Sequence, residues 1–67
     1  MRPKVTETYQ REGVYATIRG KAEYLVKPDF EAGSDQYILT GPNHYSIHRG
    51  YYEAVQEGIK LADHRNS

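Results

Sequence analysis

No cysteine and no tryptophan occur in this sequence, and phenylalanine occurs once. Without cysteine there is neither a disulfide framework nor a thiolate metal site. No apolar run reaches the length of a signal-peptide core, still less that of a spanning helix. These absences predict a soluble, cytoplasmic chain with no membrane partner. Aliphatic residues are scarce too: Leu, Ile and Val with the one Phe fill 12 of 67 positions. So low a share suits a disordered chain only when net charge is high, and here nine basic residues balance nine acidic ones.

What the chain does have is tyrosine, seven times: Tyr9, Tyr15, Tyr24, Tyr37, Tyr45, Tyr51 and Tyr52. The ring can fill a core while the hydroxyl stays wet. Residues 1–67 therefore read as one folded domain with a thin core, for which a homodimer or a bound partner would add stability. The even charge balance conceals a split. Residues 1–27 carry six basic and three acidic side chains, and residues 28–67 the reverse. That division suits self-association or a protein partner of mixed charge. It disfavours nucleic acid, whose dedicated binders show a basic excess.

Along the chain, residues 1–12 alternate weakly and read as an edge strand or a flexible arm. Val14, Ala16 and Ile18 alternate with Tyr15, Thr17 and Arg19, the period-two pattern of a half-buried strand. Arg19-Gly20-Lys21-Ala22 then predicts a tight turn with Gly20 at positive φ. A strand over Ala22 to Lys27 follows, ended by Pro28. Residues 28–35 form a loop, with Phe30 folded back over a core edge. Gln36 to Thr40 and His44 to Arg49 read as two strands joined by Gly41-Pro42-Asn43-His44, where proline presets φ and asparagine tolerates positive φ. A helix over about 50–64 follows from Tyr52, Val55, Ile59 and Ala62 at helical spacing. Gly58 lies in its middle, where a close approach to the sheet, over a tyrosine ring, would account for it.

The expected fold is α+β: a small antiparallel sheet of three or four strands, a meander, with one C-terminal α-helix packed on one face. Its core would be Val14, Ala16, Ile18, Tyr24, Val26, Leu39, Tyr45, Ile47, Tyr52, Val55 and Ile59. A sheet followed by one amphipathic helix resembles in layout the three-stranded DNA-binding domains at the start of some phage integrases. The basic strand face of those domains is thinner here, and no residue role is carried over.

The sheet face away from the helix is the expected binding surface: Tyr15, Thr17, Arg19, Lys27, Tyr37, His44, Ser46 and His48, with Leu25. Either Tyr37 or Ile38 would share it, because that strand is apolar on both sides. His44 and His48 stand about 13 Å apart at roughly 3.3 Å per residue, too far to chelate one metal. No metal and no cofactor is expected. Ser34 and Ser46 have no evident base, and no nucleophile elbow or phosphate-binding loop is present. The leading expectation is a non-enzymatic protein-interaction module, an inhibitor or modulator docking on a larger protein or on its own copy. One alternative is a binder of single-stranded nucleic acid through the open sheet face. A second is a small ribonuclease in which His44 and His48 act as acid and base beside Arg19 and Tyr15.

Overall fold

The computed structural model describes residues 3–29 and 36–63. Five strands pair in chain order as an antiparallel meander: β1 (Lys4–Gln10), β2 (Gly13–Arg19), β3 (Glu23–Pro28), β4 (Gln36–Gly41) and β5 (His44–Arg49). One helix, α1 (Tyr51–Asp63), closes the order and packs across β2 to β5. The layout is the one expected, but the sheet has five strands where three or four were expected. Residues 4–10 form that extra edge strand, not an arm, held by seven register pairs from Lys4 with Arg19 to Gln10 with Gly13.

Two turns behave differently. At the β4–β5 hairpin Pro42 and Asn43 are the whole loop, and Asn43 takes φ 55°, as its sequence predicts. Gly20, by contrast, does not adopt positive φ. The β2–β3 connection is three residues, Gly20 to Ala22, and Lys21 N donates to Ala62 O at 3.0 Å, tying the loop to the end of the helix. Pro28 ends its strand as expected, and is itself the last residue of β3, opposite Tyr37. Beyond it, Asp29 N donates to Gln36 O at 2.9 Å, closing the mouth of the 30–35 segment. Phe30, Ser34 and the helix's predicted last residue, His64, lie outside the described residues.

The core sits between α1 and one sheet face. Ile18, Val26 and Leu39 are fully buried, with Ala16, Tyr24, Ala54, Val55 and Ala62 around them. Val14 and Ile59 are half-buried. Three residues expected inside are outside: Tyr45, Ile47 and Tyr52 are 65%, 48% and 73% exposed. For Tyr52 the cause is the helix's rotation. Its buried stripe runs through Ala54, Gly58 and Ala62, because small residues let a backbone lie close to a sheet. A Cβ at Gly58 would stand 2.4 Å from Ile18 Cδ1 and 3.0 Å from Leu39 Cδ1. Gly58 is thus on the buried side as anticipated, over two aliphatic side chains and not over a tyrosine. The close approach to a ring occurs at Gly41, where a Cβ would come within 2.2 Å of the Tyr24 ring.

Candidate functional site

Register decides which side chains share a face, since residues directly opposite in an antiparallel pair point the same way. Buried Ala16 pairs with Val26 and Val26 with Leu39, while Leu39 pairs with Ser46. Ser46, and with it His44 and His48, therefore lies on the helix side of the sheet. Tyr37 pairs with His48 and lies there too. Of the eight residues expected on the open face, Tyr15, Thr17, Arg19 and Lys27 are there, with Leu25. Tyr37, His44, Ser46 and His48 are on the other side. Their places are taken by Ile38, Tyr45, Ile47 and Arg49.

The inversion of β5 has a simple cause. A two-residue loop pairs Gly41 with His44, and counting back from that pair sets Leu39 against Ser46. Leu39 and Tyr45 cannot then both be core. The hairpin predicted from the sequence carries this constraint, and it overrides the apolarity of the two strands taken one at a time.

The open face carries two cross-strand rows. One runs Thr6, Thr17, Leu25, Thr40, Tyr45, and the other holds Lys27, Ile38 and Ile47. Leu25, at 41% exposure, stands diagonally across from Ile38, which pairs with Ile47 two residues from Tyr45, so the four make an apolar patch across β3 to β5 with Thr40 among them. Lys4, Arg19 and Lys27 border it on the β1–β3 side and Arg49 at one end, with Glu23 the one acidic side chain on this face within the strands. Among the described residues one ion pair forms, Arg19 Nε to Glu23 Oε2 at 3.5 Å, between exposed partners. Such pairs contribute little, so the face is cationic around an apolar middle. The opposite side of the molecule is acidic: Glu53, Glu57 and Asp63 accompany Lys60 on α1.

The helix side holds two further clusters, both read only in fragments from the sequence. At β1, Glu7 accepts hydrogen bonds from two phenols. Tyr9 donates to Oε1 at 2.9 Å, and Tyr51, the first residue of α1, donates to Oε2. Tyr51 also meets Tyr37 edge-on, with ring centroids 5.6 Å apart. The Tyr51 bond, followed by that from Tyr9, holds the Glu7 carboxyl below its ordinary range. Burial, then the bond to Glu7, pushes the Tyr51 phenol up. The hydrogen bond to Glu7 raises Tyr9 as well.

On β5, Ser46 Oγ lies 2.9 Å from His44 Nε2 and 2.7 Å from His48 Nε2. Strand spacing separates the two backbones as expected, but both rings lean toward the serine between them, so the nitrogens converge on one oxygen. Ser46 accordingly has a base on either side, contrary to the sequence reading. The ribonuclease grouping, however, is not assembled: the histidines face the helix side while Arg19 and Tyr15 face away.

Among the described residues no group of three or more His, Asp or Glu side chains converges on a point. No described helix is long and apolar enough to cross a membrane. The chain matches no protein-family model, no curated protein and no solved structure.

Proposed function

We propose that this chain is a protein-binding module that docks an acidic partner protein on the helix-free face of its sheet. The observation that carries this reading is the apolar patch of Leu25, Ile38, Tyr45 and Ile47, bordered by Lys4, Arg19 and Lys27 on the β1–β3 side and by Arg49 at one end. An apolar middle within a polar rim is how protein interfaces are built, and tyrosine and arginine are enriched at their hot spots. The rim charge selects the partner: an apolar element flanked by carboxylates. A second copy fits less well. Two open faces would oppose like charges, and an open face against another copy's acidic helix is a heterologous contact that is satisfied only if the copies complete a ring.

A second reading, single-stranded nucleic acid, is favoured by Tyr15 and Tyr45 standing among the same cations. It ranks lower because the centre between them is aliphatic, and the two rings lie on β2 and β5 with two strands between.

The test is capture from nuclease-treated source lysate on the immobilised chain, beside an Ile47→Glu variant, followed by reconstitution with the purified captured protein. A protein held by the parent, lost with Ile47→Glu, and protecting β2–β5 amides from exchange supports docking. Equal capture by both chains would sink it. Salt-sensitive binding of an oligo(dT) probe that depends on Tyr15 and Tyr45 would replace it with the second reading.

A further inference from the structure

The row His44, Ser46, His48 plays no part in docking through the open face. It occupies alternate positions of the edge strand β5, and both rings approach one hydroxyl from opposite directions along the strand. A hydroxyl between neutral imidazoles donates to one and accepts from the other. When each ring carries its proton on Nδ1, both Nε2 atoms present lone pairs toward the same point. We infer that His44 and His48 form a two-imidazole site for a tetragonal divalent transition metal of the Cu(II) class, with Ser46 Oγ beneath it as third donor.

The choice of metal follows from the approach geometry. Bonds from imidazole nitrogen to such metals are about 2.0–2.1 Å, so a trans pair of nitrogens spans about 4 Å and a tetrahedral pair about 3.3 Å. The nitrogens lie 2.9 and 2.7 Å from one oxygen and come from residues on either side of it along the strand, so they are set for the wider span, and Ser46 Oγ must turn aside to admit the metal. The tetrahedral span asks for a larger convergence. Tetragonal Cu(II) or Ni(II) is therefore preferred over Zn(II), and Cu(II) is the tightest binder of the divalent series.

Charge and packing add to this. His48 also lines an open groove of about 500 Å³ in which Glu53 and Glu57 outnumber Lys60, a setting that attracts a cation and repels phosphate. The His44 ring is oriented by the buried Tyr24, edge-on with centroids 5.9 Å apart. Two nitrogens and a hydroxyl leave positions for water, so binding should be of modest strength and exchangeable.

Titration of the full chain with Cu(II), followed by calorimetry and electron paramagnetic resonance, tests the site. One equivalent is expected, with hyperfine splitting from two nitrogens and weaker binding of Zn(II). His48→Ala should abolish this site. Ser46→Ala should keep the stoichiometry and weaken affinity about tenfold, as loss of a supporting contact does. His44→Ala also removes a contact to Tyr24, so His48→Ala, on the groove side, is the decisive variant. An unchanged spectrum in His48→Ala would place the copper elsewhere on the chain and overturn the inference. So would a one-nitrogen spectrum in the parent, or Zn(II) binding more tightly than Cu(II).

Discussion

At Gly58 the helix backbone lies so close to the sheet that an added methyl has nowhere to go. Alanine would favour the helix by about 1 kcal/mol, but overpacking a filled core costs about 1–3 kcal/mol. Ile18 and Leu39 beneath it are fully buried and offer no slack. Gly58→Ala should therefore destabilise the fold by about 1 kcal/mol in urea denaturation. The clash is with Ile18 Cδ1, the atom that Ile18→Val deletes. That substitution alone costs about 0.5–1.5 kcal/mol, yet the double variant should lose clearly less than the sum of the two. Strict additivity would mean that the helix backs away as a unit. Gly41→Ala meets a ring with no flexible end, Tyr24, and should cost about 2–3 kcal/mol. Here the sequence identified a close approach at Gly58 but named the wrong neighbour. Spacing shows that a glycine is mid-helix, whereas the strand beneath it depends on how the helix is rotated.

Among the elements, β1 is the one that the helix covers least. It pairs only with β2, and its helix-side face, Val5, Glu7 and Tyr9, is tied down through the Glu7 carboxylate and the two phenols. Amide exchange in Lys4–Gln10 should accelerate in Tyr51→Phe while β2–β5 stay protected. A uniform change across the sheet would show that β1 is not separately held. The same link gives a pH dependence. The folded Glu7 carboxyl is held below its ordinary 4.5, so its contribution is present above that pH and is lost as pH falls through the lower folded value. Tyr51 works in the other direction. Its folded phenol is raised above 10.0, so stability is full below pH 10 and declines as pH rises beyond it. Local loosening of β1 at both extremes, with the acid limb removed by Glu7→Gln, is the expected exchange profile. The edge strand itself was within reach of sequence reading, since Val5, Glu7 and Tyr9 alternate. The bond from Tyr51, 44 residues further on, was not.

Across the whole molecule, the charge split between the halves of the chain becomes a division between two sides. Lys4, Arg19 and Lys27 come from the first half and Arg49 from the second, and the sheet gathers all four on one face. The acids of α1 are left on the other. Ile47→Glu interrupts the cationic, apolar face at a half-exposed position whose cross-strand neighbour is Ile38. Its cost in thermal stability should stay below about 1 kcal/mol, the scale of a cross-strand pair, while partner capture is lost. A large drop in melting temperature would mean that Ile47 is part of the fold's support and not of a free surface.

The positions of β2 to β5 and of α1, the β4–β5 turn and the antiparallel meander follow from the sequence alone, because alternation, proline and glycine act over a few residues. Of the tyrosines, Tyr24 was recognised as core in the same way. Which face each side chain joins was decided by tertiary structure. A one-residue change of parity exchanges the faces, as at Tyr45 and His44, and the buried stripe of α1 was chosen by how closely Ala54, Gly58 and Ala62 let the helix lie. The sequence thus supplied the tyrosines, cations and histidines of both candidate sites. Register and packing separated them, placing a docking face on one side and the His44–Ser46–His48 row on the other.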